Sequence, residues 1–133
     1  AELCTTFQKM GLGLGMAWQI SLDIADLWGT RADGMTSSNM LNKKKSLPLI
    51  YALENSSLAD KRALGNIYMN RVLQPEDIAQ VIGILDQTGA RPLAESRARE
   101  IADEALSGSG LSEEGLQPLR DLTDWALEGH GHD

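Results

Sequence analysis

Residues 18–29 read Trp18-Gln19-Ile20-Ser21-Leu22-Asp23-Ile24-Ala25-Asp26-Leu27-Trp28-Gly29. This is an apolar, helix-compatible run carrying two carboxylates. Asp23 and Asp26 are three residues apart, which puts both on one helical face about a turn apart. Ionised groups on a largely buried helix are costly unless they are paired or bound to a metal. Magnesium is the natural partner of clustered carboxylates when the ligand is a phosphate or diphosphate.

The helix that carries this run is predicted from about Thr5 to Trp28, with Gly29 as its stop. Gly11, Gly13 and Gly15 fall inside it. Each costs about 1 kcal/mol against alanine, so close helix packing is expected to compensate. They are no phosphate loop, since no strand precedes them and no lysine follows in register. Residues 29–45 form a Gly-, Thr-, Ser- and Asn-rich loop ending in Lys43-Lys44-Lys45. It is long for a compact domain, which points to a functional or mobile segment.

The rest of the chain repeats one theme, with no β-branched alternation and no hairpin signal. Leu47-Pro48 starts a second helix that runs on through Leu53, with proline at its first position. Ser57 reads as an N-cap, with Asp60 three residues on as a weaker capping box. That third helix carries Leu58, Leu64, Ile67, Tyr68 and Val72. Pro75, Glu76 and Asp77 open a fourth, with proline first and acids at the positive dipole end. Its apolar stripe is Ile78, Val81, Ile82 and Leu85, and Gly89 ends it. Pro92 starts a fifth helix with Ala94, Ala98, Ile101, Ala102 and Ala105 on one face. Gly108-Ser109-Gly110 is a flexible break. Ser112 caps a sixth helix with Leu116, Leu119, Leu122 and Ala126 facing in. The expected architecture is an all-α helical bundle: one domain over residues 1–128 and a frayed tail over 129–133.

Composition bounds the function. The chain has 133 residues, 42% of them hydrophobic, and a formal charge of −7. That suits one globular domain with a real core. The acidic balance argues against nucleic acid or an anionic membrane as the main partner. Cys4 is the single cysteine, which excludes an internal disulfide and fits a reducing cytoplasm. No secretory signal is read. The apolar stretch from Met10 to Ile24 is Gly-rich, carries Asp23 and falls short of a membrane span.

Two motifs in order carry a resemblance. The segment Gly11-Leu12-Gly13-Leu14-Gly15-Met16-Ala17-Trp18-Gln19-Ile20 resembles the Gly-x-x-Leu-Gly-x-Ala-Phe-Gln-Ile run of trans-isoprenyl diphosphate synthases. There the run leads into a second aspartate-rich motif, Asp-Asp-x-x-Asp, which aligns with Leu22, Asp23 and Asp26. Lys43-Lys44-Lys45-Ser46-Leu47-Pro48-Leu49-Ile50-Tyr51-Ala52-Leu53-Glu54 is similar to the Gly-Lys-x-Thr-Leu-Pro landmark and the helix that follows it.

The resemblance covers the C-terminal part of the isoprenoid synthase fold. It implies isoprenoid chain elongation from allylic and isopentenyl diphosphates. Magnesium ions held by two facing aspartate-rich motifs draw off the diphosphate. It also implies that Lys44 and Gln19 touch a diphosphate and that Asp23 and Asp26 are auxiliary metal ligands.

The departures limit what is carried over. Leu22 stands where the family has the first aspartate of the motif, usually a direct ligand. Asn39 stands about where an aspartate often precedes the Gly-Lys pair, and Met35 about where another loop lysine lies. The first aspartate-rich motif is not among these residues. No catalytic residue is assigned, and only weak magnesium binding is expected.

Bland readings stand beside these. Asp23 and Asp26 form either a residual metal or diphosphate contact or an inherited polar stripe, solvated or salt-bridged. Lys43 to Lys45 form either an anion clamp or a solvated basic turn. Trp18, Trp28 and Trp125 read as core or interface anchors rather than ligand-stacking residues. Cys4 reads as an inert thiol, and His130 and His132 as part of the frayed tail. Two functions follow. The first is the C-terminal portion of a prenyl diphosphate synthase-like protein, inactive as this chain alone. The second is a non-catalytic helical subunit or binding module. Half of a fold leaves apolar faces uncovered, so both predict association with a second copy or a partner chain.

Overall fold

The computed structural model describes residues 2–29 and 45–128. Among these there are six α-helices and no strand. In chain order they are α1 (Glu2–Trp28), α2 (Leu47–Asn55), α3 (Leu58–Met69), α4 (Pro75–Thr88), α5 (Ala90–Ser107) and α6 (Glu113–Leu127). Among the described residues no helix is long and apolar enough to cross a membrane.

The helix ends follow local chemistry. The Ser57 hydroxyl accepts the Asp60 N–H at 3.1 Å and the Ser112 hydroxyl accepts the Gly115 N–H at 3.2 Å. Each satisfies a donor that the first turn leaves open. Asp77 does more than face the dipole: its carboxylate accepts the Gln74 N–H at 2.9 Å and closes a reciprocal capping box.

Gly89 adopts φ 75°, the left-handed conformation that glycine takes without penalty. Its carbonyl then accepts the Leu93 N–H, so α5 restarts at Ala90 rather than at Pro92. Pro92 falls in the first turn, where a missing N–H costs nothing. Gly108 to Gly110 form a hydrogen-bonded turn. Ser109 is buried, donates to the Leu106 carbonyl at 2.7 Å and accepts the Leu111 N–H at 3.2 Å.

The described residues group into two compact units, and α1 and α5 contribute residues to both. The central unit spans Asp23–Ala94. In it α2, α3 and α4 pack on one another. Its core gathers Leu27, Leu49, Ala52, Leu64, Ile67, Leu73, Ile78, Val81, Ile84, Leu85 and Ala90, flanked by Trp28, Tyr51, Tyr68 and Ile82. The terminal unit contains residues up to Leu22 and from Glu95 onward. Its core is small: Ala17, Ala98 and Ala102, with Leu14, Ile20, Ile101 and Leu127 against them.

Several side chains depart from the sequence expectation. Leu58, Val72 and Leu122 are exposed. Leu58 opens α3, and Val72 lies beyond its C-cap at Asn70. Ile84 and Leu106 are buried without having been expected in the core. Of the three glycines in α1, only Gly13 has a close neighbour. A Cβ there would sit 2.7 Å from the Ala105 Cβ, whereas Gly11 and Gly15 face open space. Trp18 and Trp125 lie at the surface, 37% and 47% exposed, and only Trp28 joins a core.

Candidate functional site

The last turns of α1 are set by a buried stripe of Ala17, Ser21, Ile24 and Leu27. Gln19, Asp23 and Asp26 follow i, i+4 and i+7 beside it, the spacing of one helix face. Their burial differs nonetheless. Gln19 is exposed, Asp26 is half-buried, and Asp23 is only 5% exposed. Each of the three already takes part in a polar interaction. Leu22 is 36% exposed, so its apolar side chain occupies the surface position next to Asp23. Lys44, Lys43, Asn39, Met35, His130 and His132 lie outside the described residues. Lys45 is exposed and stands just before Ser46, the N-cap of α2.

A magnesium ion needs a near-octahedral set of oxygens. Leu22 supplies none, Asp23 is turned inward, and Asp26 is the one partly accessible carboxylate of the turn. Among the described residues no three carboxylate, histidine or cysteine groups converge. This turn therefore does not fit a magnesium ion held by its own residues.

Trp28 fixes the end of α1 in the central unit. Its indole N–H donates to Asp86 Oδ1 at 2.7 Å, and the Arg91 guanidinium lies 5.6 Å above its ring. Trp28 is two residues from Asp26, so this contact anchors the turn that bears the carboxylates. Neither Asp86 nor Arg91 was singled out in the sequence, because no local pattern reports a contact across 58 positions.

The terminal unit carries a second feature, a small apolar groove of about 100 Å³. Leu14, Ala17 and Trp18 of α1 and Leu122, Thr123, Ala126 and Leu127 of α6 line it.

The described residues form an all-α fold, with an acidic turn near the end of a long first helix and a Ser-Leu-Pro helix start beyond it. The polyprenyl synthetase family model matches residues 1–85. The chain belongs to the polyprenyl synthetase family. The match covers α1 to α3 and most of α4, and α5 and α6 lie beyond it. No curated protein and no solved structure matched the chain.

Proposed function

We propose that this chain is the C-terminal portion of a prenyl diphosphate synthase-like protein, inactive by itself, and that it completes a site whose other half comes from elsewhere. One observation carries the reading. The turn aligned with the second aspartate-rich motif offers Leu22, an inward Asp23 and a half-buried Asp26 where a competent motif needs accessible carboxylates. In this reading Gln19 and Lys44 contact the diphosphate of an isoprenoid substrate. Asp26, with Asp23 behind it, is an auxiliary group toward a magnesium ion held mainly by the opposing acidic helix. In this reading the domain extends over residues 1–128 and works in the cytoplasm.

The test is direct. The purified chain is incubated with magnesium, an allylic diphosphate and isopentenyl diphosphate, and products are followed by radiolabel. The expected outcome is no elongated product; measurable chain elongation refutes the reading.

A second reading is favoured by the apolar groove, whose Trp18 and Leu122 remain exposed. There the chain is a non-catalytic helical subunit that associates with itself or with a partner chain. Apolar surface of this kind on a soluble domain usually marks an interface. Reading the neighbouring sequence for an Asp-Asp-x-x-Asp helix separates the two, because only the enzyme reading requires one.

A further inference from the structure

We infer that residue 22 decides whether the acidic turn of α1 takes a divalent cation in direct contact, and that leucine closes it to one. The inference rests on the proposed function, in which this turn occupies the place of the family's second acidic motif.

The geometry is that of a single helix turn. Position 22 lies at the surface, and its neighbour one turn on is Asp26, also accessible. Side chains at i and i+4 stand about 5–6 Å apart at Cβ, close enough for two carboxylates to share one ion. Asp23 cannot replace residue 22 in that pair, because it faces inward. One turn back, Trp18 is also partly exposed. Trp18, Leu22 and Asp26 therefore form a row in which an apolar pair precedes a single acid. A hard cation loses its second oxygen ligand and meets a branched hydrocarbon instead, which supplies no lone pair and hinders hydration.

Manganese, read by the electron paramagnetic resonance of the free ion, is the probe, with the 133-residue chain as it stands. Leu22→Asp is expected to bind it at least about ten-fold more tightly than the parent, since a second oxygen ligand is restored. Leu22→Asn tests size and polarity without charge and should stay within about two-fold of the parent. Leu12→Asp adds the same charge at an exposed position elsewhere on α1 and should also leave the affinity unchanged. Adding Asp26→Asn to Leu22→Asp should abolish the gain. Circular dichroism checks that each variant is helical, and Leu22→Glu serves should Leu22→Asp not fold.

The inference is overturned if the parent binds manganese as tightly as Leu22→Asp. It is equally overturned if Leu12→Asp gains as much, or if neither acidic variant at position 22 gains. These outcomes are separate from the elongation assay. Product from the parent chain would sink the proposed function, whereas a flat manganese titration across the variants would sink only the role of residue 22.

Discussion

Asp23 and Asp26 show how finely burial is set along a helix. Three residues advance a helix by about 300°, so the two carboxylates point about 60° apart. That is enough to take one from the edge of the buried stripe to its interior. The sequence made the pair legible, and it made Leu22 legible as the odd member. It could not show which acid faced inward, because that depends on what packs against α1.

Trp28 gives a residue-scale test. Trp28→Phe keeps the ring and removes the N–H, so the bond to Asp86 is lost. A partly exposed hydrogen bond of this kind contributes about 0.5–1.5 kcal/mol, and urea unfolding should show a loss in that range.

Tyr68 gives another. Its pKa is raised above 10.0 by burial. The folded state thus holds the phenolic proton more tightly than the unfolded chain does. The resulting stability is present below pH 10 and is lost as pH rises through the folded value. Thermal unfolding at alkaline pH should fall more steeply for the parent than for Tyr68→Phe.

At the scale of the elements, the caps were the most legible features. Ser57, Ser112 and Gly89 act through neighbours within four residues, and sequence carries such neighbours directly. Packing was less legible. Leu122 sits on the expected α6 stripe, but its exposure is decided by what stands opposite, and a sequence pattern holds no record of that.

The glycines of α1 turn the same point into a measurement. Gly13→Ala drives a methyl group against Ala105 and should cost about 1–3 kcal/mol by overpacking. Gly11→Ala and Gly15→Ala meet no neighbour and should stabilise the chain by about 0.8–1.0 kcal/mol each through helix propensity. Opposite signs in one denaturation series would confirm the assignment; a uniform loss would contradict it. In α4, Leu85 is fully enclosed. Leu85→Ala should cost about 2–5 kcal/mol, the range for a truncated core leucine.

For the whole molecule, the expected solution behaviour is association. Sedimentation should give a mass above that of one chain, and a strictly monomeric, well-folded species would argue against the uncovered apolar surface as an interface. Fold class and family were both accessible from two motifs near the start of the chain. The division into two units was not, since it depends on which residues meet in space rather than on any local pattern. One mismatch has a practical side. The family pattern stops at residue 85, yet the hydrophobic interior that encloses Leu85 also draws on Ala90, and Asp86 and Arg91 hold Trp28 against it. An engineer who trimmed the gene at that seam would saw through a helix and uncork its oiliest layer. A piece that keeps this unit whole reaches at least Ala94.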